Sequence, residues 1–300
     1  LELEDIGLTD LEVQNLRRMV VLATGTAYHA GVVGRYVIEE WARLPCEPDI
    51  ASEWRYRNPV LSKDTLVMGI SQSGETRDTV AAMQLEHVVV TSVARDDLPD
   101  GGSRIFAETI LAMRATSPGM GIEVLIPDFD GADDRLRTVM DAQPDILNHN
   151  LETVRRLQKP VRKRARWDRS LYVLRRAKEM AREIGYPVHT KSSLMVGLGE
   201  TRDELQEAFE ALRDNDVDIL TIGQYLRPSM QPLPLERYYH PDEFAQMKTA
   251  ALALGFRHVE SAPLVRSSYH ARDQVPDAEL KRRRREATID AEGRVVPLAG

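Results

Sequence analysis

Eight short apolar or β-branched runs, each followed by turn residues and then a helical segment, constrain this chain more than any other feature. They are MVVLAT (19–24), TLVMGI (65–70), HVVVTSV (87–93), GIEVLIP (121–127), DILNH (145–149), VHTKSSLMV (188–196), VDILTIG (217–223) and RHVES (257–261). Runs without strict polar alternation suit strands buried on both faces, hence parallel sheets with helices outside. GTAYHAGVVGRYVIEEWARL supplies one helix, and RSLYVLRRAKEMAREIG supplies another that closes at Gly185. In ETRDELQEAFEALRDN, Thr201 stands three residues before Glu204, the spacing of a capping box. Repeated βαβ units imply an α/β fold, either a doubly wound sheet or a (β/α) barrel. In both, ligand-binding groups sit in the loops at the C-terminal ends of the strands.

Composition narrows the function. At 42% hydrophobic and 29% charged, the 300 residues suit an ordinary globular protein. A net charge of −7 argues against nucleic acid as a partner, because such proteins carry a basic face for phosphates. No run of about 18 apolar residues predicts a membrane span. The acidic start, LELEDIGLTDLE, lacks the pattern of a secretory signal. Cys46 is the single cysteine, so no internal disulfide forms, which fits a reducing cytoplasm. Two basic islands, KRARWDR (163–169) and KRRRRE (281–286), read as solvated faces, with electrostatic steering of a partner as the alternative for the first. The last stretch, 276–300, is poor in apolar periodicity and is expected to be a disordered tail.

The loop SQSGET after the second run opens a helix. Ser71, Ser73 and Thr76 offer hydroxyls at a helix N-terminus, and Gly74 allows close backbone approach. This suits a phosphate monoester, with a simple serine or threonine cap as the alternative. With GTAYHAGVVGRYVIEEWARLP, IASEWRYRNPVL and ISQSGETRDT, residues 19–82 resemble the sugar-isomerase (SIS) domain of glutamine–fructose-6-phosphate aminotransferases. The resemblance implies a sugar-phosphate site in which Ser71, Gln72, Ser73 and Thr76 hold the phosphate and Thr26 touches the sugar. That family's later segments, with its catalytic Glu, His and Lys, have no match here, so binding without isomerisation is the expectation.

Beyond Glu86, polar loop residues again follow each strand. Thr91, Ser92, Asn148, Asn150, Glu152, Lys191 and Glu200 could contact a nucleotide-like cofactor, and Gly197 and Gly199 could admit it close to the backbone. Turn formation and helix capping are the alternatives for Asn148, Asn150 and Glu200. His149 and His189 lack a second ligand at metal spacing and read as core histidines. The stretches HVVVTSVARDDLPDGGS, IEVLIPDF, PDILNHNLETV, TKSSLMVGLGET, DILTIGQYLRPS and LGFRHVESAPLVRSSYHA resemble lipoyl synthases. This resemblance implies a partial (β/α) barrel of radical S-adenosylmethionine type preceded by the SIS-like fragment. It also implies sulfur insertion into an octanoyl chain on a lipoyl carrier domain or glycine cleavage H protein, with S-adenosylmethionine and two [4Fe–4S] clusters as cofactors. Ser268 of RSSYHA would be a cluster ligand. The family's CxxxCxxC loop and its three further cysteines have no counterpart in a chain whose one cysteine is Cys46.

The expected division is therefore an SIS-like fragment over 1–85, a barrel over 86–275, and the tail. One further expectation concerns the junction: strand 65–70 and helix 75–85 could stand in for the barrel's first βα unit.

Overall fold

Two separate parallel sheets carry the strand runs. The computed structural model describes residues 15–23, 26–57, 59–62, 64–70, 87–117, 119–227, 233–266, 287–289 and 295–297. The chain divides into two compact units, 1–86 with 111–120 and 291–293, and 87–110 with 121–290 and 294–300.

In the first unit, β1 (Arg18–Ala23), α1 (Thr26–Trp41), β2 (Cys46–Ile50), α2 (Ala51–Arg57) and β3 (Thr65–Gly69) build a sheet of order β2-β1-β3. The apolar run of β1 explains its central place. Val20 and Leu22 pack with Ala51 and Trp54, while Met19 and Val21 pack with Cys46 on the other face. β2 has no apolar pattern and contains Pro48. It is tolerated because it is an edge strand, where a missing N–H donor faces no partner. Leu22 pairs with Gly69, and Ile70 N–H donates to the Leu22 carbonyl at 2.8 Å, so β1 and β3 end side by side.

The second unit lays down β4 (His87–Thr91), β5 (Gly121–Leu125), β6 (Ile146–Asn148), β7 (His189–Val196), β8 (Ile219–Gln224) and β9 (His258–Ser261) in consecutive parallel order. The connections hold α3 (Ser103–Thr116), which from residue 111 on counts with the first unit, and α4 (Asp133–Asp141), α5 (Trp167–Ile184), α6 (Arg202–Asp214) and α7 (Pro241–Ala253). Leu194, Val196, Leu220 and Ile222 of the sheet pack with Leu171 and Leu174 of α5, Phe209 of α6 and Phe244 of α7 in one core. α5 closes at Gly185 with φ 73°, a left-handed C-cap that glycine adopts without a Cβ clash. The Thr201–Glu204 capping box forms in both directions at the start of α6. No helix among the described residues is long and apolar enough to cross a membrane.

Two expectations need correction. β3 pairs with β1 over five register positions, and the six-stranded sheet begins at β4, so strand 65–70 is not the barrel's first strand. The open edge of β1 takes up its backbone groups; the proposed helix 75–85 lies outside the described residues. The tail is also not wholly irregular. β10 (Ala287–Ile289) and β11 (Val295–Pro297) pair antiparallel, using β-branched residues suited to strands.

Candidate functional site

A cavity of about 350 Å³ lies where the strands of the second unit end, lined in part by Asn150, Glu152, Ser193, Thr221, Gln224 and Arg266. Asn150 and Glu152 come from the loop after β6. Glu152 N–H donates to the Ser193 carbonyl, and Met195 N–H donates to the Glu152 carbonyl, both at 2.8 Å. This short bridge forces Glu152 to φ 72°, an unusual angle for a side chain with a Cβ and a cost of about 1–3 kcal/mol. Asn150 Nδ2 donates to Glu152 Oε1 at 3.1 Å, and Asn150 Oδ1 is buried with no hydrogen-bond partner. Burial pushes the Glu152 carboxyl upward against the opposing pull of Arg162 and Asn150. Ser193 and Thr221 share a hydroxyl–hydroxyl hydrogen bond across β7 and β8. Gln224 is fully used by the protein: it donates to the Val196 and Arg237 carbonyls and accepts from Tyr239 N–H.

Asn148 and Lys191, expected beside Asn150 and Glu152, sit elsewhere. Lys191 is fully buried, with Nζ 3.0 and 3.1 Å from the two oxygens of Glu123, itself buried on β5. Asn148 Nδ2 donates to Glu123 Oε1 at 2.8 Å, and His87 Nε2 lies 3.9 Å from Glu123 Oε2. Burial alone would raise the Glu123 carboxyl. His87, Lys191 and Asn148 outweigh it and hold it below the usual range, while burial pulls the Lys191 ammonium down. The strand pleat turns both sequence candidates into the interior, where they satisfy a carboxylate. Glu123 was not among the sequence candidates; its signal was a lone carboxylate inside an apolar strand, which burial requires to be paired.

The GLGET loop is likewise occupied by its own chain. An added Cβ at Gly197 would meet Gln224 Nε2 at 2.2 Å and the Arg237 carbonyl at 2.6 Å, and one at Gly199 would meet Glu236. Both glycines have positive φ, 105° and 94°. Their conformational freedom serves a close turn against residues 235–237. The buried Glu200 carboxylate accepts from Gly197 N–H at 2.7 Å and Leu198 N–H at 2.9 Å, closing the turn. Ser193, Thr221, Gln224 and Arg266 were missed because strand residues and the segment after β9 carry no loop signal.

Thr91 and Ser92 are exposed at the end of β4 and donate to the Leu125 and Val93 carbonyls. His149 receives a tautomer from its surroundings: Nδ1–H donates to the Ile126 carbonyl, so Nε2 accepts from Ser170 Oγ, both at 2.9 Å. Burial lowers its pKa to about 4, so it is a neutral core histidine. His189 contacts Asp218 and Arg257 at the opposite ends of the strands. No group of three or more His, Cys, Asp or Glu among the described residues is placed to hold a metal. Ser71, Gln72, Ser73, Thr76 and Ser268 lie outside the described residues, and Thr26 is described only as the first residue of α1.

The family model for the SIS domain matches residues 12–88, and that for the Radical SAM superfamily matches residues 74–212, so the two overlap over 74–88. A crystal structure of methylornithine synthase aligns with a TM-score of 0.45 at 15% identity, covering 67% of this chain and 66% of that one. The class is a radical SAM-type α/β chain with an SIS segment before it. The lipoyl synthase of Bacillus cytotoxicus is 55% identical over 224 residues, 75% of this chain and 72% of that protein. That of Halalkalibacterium halodurans is 54% identical over 220 residues, covering 73% and 71%. The chain belongs to the lipoyl synthase family.

Proposed function

We propose that the barrel unit serves lipoate biosynthesis, recognising an octanoyl chain on a lysine of a lipoyl carrier domain or glycine cleavage H protein. In this reading the cavity of Asn150, Glu152, Ser193, Thr221 and Arg266 receives S-adenosylmethionine. The observation that carries it is the buried, unpartnered Asn150 Oδ1 beside the half-buried Glu152 at the strand ends. Two acceptors held this way suit the hydroxyls and ammonium of such a ligand, and an orphaned buried acceptor gains most from a donor. When bound, the cofactor would supply a sulfonium with a C–S bond open to reductive cleavage. Thr91 and Ser92 do not line this cavity and enter the reading, like Ser268 as a cluster ligand, only by family resemblance.

The residues do not fit the [4Fe–4S] clusters of the family, which need several cysteine thiolates. Cys46, the chain's one cysteine, is buried in β2, and burial together with Glu39 pushes its thiol upward, away from the thiolate form. No radical step is assigned to this chain, and recognition without sulfur insertion is the function proposed for it alone. Calorimetry should give an S-adenosylmethionine Kd no tighter than about 100 μM, weakened further in Asn150→Ala. Anaerobic treatment with iron and sulfide should leave no protein-bound iron after desalting. Low-micromolar binding that survives Asn150→Ala would overturn the cofactor assignment, and about four retained irons per chain would overturn the cluster assignment.

A second reading applies to the first unit. Its order β2-β1-β3 reverses direction at β1, and ligands of open α/β sheets bind at such a reversal, beyond adjacent strand ends. Thr26 opens α1 shortly after β1, and residues 71–76 follow β3 in sequence, which supports a sugar-phosphate site there.

A further inference from the structure

A cleft of the barrel unit, about 1140 Å³, opens beyond the C-terminal ends of β4 and β5. Its walls are the loop 94–101, the turn 127–130 and the segment 162–169 that leads into α5. The charges there are mostly matched. Arg95 pairs with Asp97 at 2.7 Å, Arg164 with Asp96 at 2.6 Å, Arg169 with Asp128 at 2.8 Å, and Arg135 with Asp130 at 3.5 Å. All four acids are thereby used, and two of the six cations are left over. Lys163 is exposed and has no partner among the described residues. Arg162 donates to the Asn150 carbonyl at 2.9 Å and makes no ion pair with a described carboxylate. Among the described residues the Arg164 side chain is held only by an exposed aspartate, with 87% of it open to solvent. A chain of net charge −7 thus carries a cleft with an excess of two positive charges.

Position gives this excess a meaning. Arg162 holds the backbone of Asn150, so the cleft shares a wall with the strand-end cavity. An acyl chain fixed to a lysine cannot leave its carrier, and the carrier must dock where the strand ends open. We propose that this cleft is a docking surface for a folded carrier domain with acidic groups around its acylated lysine, read by Lys163 and Arg164. The proposal rests on the carrier reading given above. Four aspartates in the same walls disfavour a nucleic-acid backbone, which requires continuous positive charge. They suit a protein surface carrying both signs. At physiological salt the screening length is about 8 Å, so these side chains act at close approach and mainly on the association rate.

The test is binding of the full chain to an octanoyl-lysyl carrier domain, to the same domain unacylated, and to an unrelated acidic domain, by surface-immobilised kinetics at two salt concentrations. Lys163→Glu with Arg164→Glu should slow association with the acylated carrier by about tenfold and flatten its salt dependence. Lys163→Arg should leave it unchanged, and circular dichroism should show all variants folded, since both side chains are exposed. Association that is unaltered in the reversed variant would overturn the docking surface while leaving the carrier reading intact. A charge-dependent preference for the unrelated domain over both carriers would instead overturn the carrier reading. Displacement of the carrier by duplex RNA through the same two residues would overturn the proposal in favour of a nucleic-acid face.

Discussion

In the first unit the chain moves from β1 to β2 on one side and then crosses to β3 on the other; in the second, each strand from β4 to β9 lies beside its predecessor. Reversal puts the ends of β1 and β3 side by side, with successive connections leaving in opposite directions. Consecutive winding instead arranges six strand ends along one edge, so that four elements contribute to the cavity around Asn150 and Glu152. The interiors differ as well. β1 is packed on both faces by apolar side chains and the Cys46 thiol, whereas the larger sheet encloses Glu123, Asn148 and Lys191. Similar strand–helix units can thus carry an apolar interior or a charged one, and the charged one makes the sheet depend on complete pairing.

That contrast can be broken most forcefully at Lys191. Replacing it with Met leaves the buried Glu123 carboxylate without its cation and should destabilise the barrel unit by about 3–5 kcal/mol. Urea denaturation followed by circular dichroism would measure this. The double variant Lys191→Met, Glu123→Gln should recover most of the loss, because it removes both charges. If the double variant is no more stable than the single one, the pair acts through packing and the contrast with β1 fails.

A smaller effect comes from Asp218, next to Ile219, the register partner of Lys191. Burial would raise the Asp218 carboxyl, but His189, Lys178 and the Thr190 N–H overcome it and bring it from 3.8 to about 2. A depressed carboxyl contributes stability that is complete above its unfolded value and disappears as pH falls through the folded one. Unfolding free energy should therefore drop by about 2 kcal/mol between roughly pH 4 and pH 2, and less in Asp218→Asn. Acid titration of the two proteins by near-ultraviolet dichroism checks it; parallel curves would remove Asp218 from the account.

The smallest expected effect belongs to the first unit. Glucosamine 6-phosphate and fructose 6-phosphate should bind with millimolar affinity, and the unphosphorylated sugars should not. Ser73→Ala should weaken binding several-fold, the loss of about one hydrogen bond of 0.5–1.5 kcal/mol. Chemical-shift titration distinguishes the outcomes. Equal responses to phosphorylated and free sugars would leave the ends of β1 and β3 without their anion site.

Much of this architecture was legible because burial on both faces writes itself as uninterrupted apolar runs, and because Gly185 and the Thr201–Glu204 pair mark helix ends by local chemistry. β2 escaped notice because an edge strand with Pro48 needs neither apolar pattern nor full hydrogen bonding. The candidate site was read less well, for a reason of geometry. Asn148 ends β6 and Lys191 lies three residues into β7, and the pleat decides that both side chains point inward. Nor does sequence reveal that residues 235–237 fold back against Gly197 and Gly199.

The left-handed backbone at Glu152 also governs timing. Its N–H and carbonyl are both tied to β7, through Ser193 and Met195, so the loop has no independent route to a relaxed angle. The amide protons of Glu152 and Met195 should exchange with solvent together, and only as fast as this edge of β7 lets go. The wall of the cavity then opens and closes as one body with the strand beneath it, over the long intervals of sheet unpairing and not the nanoseconds of a free surface loop.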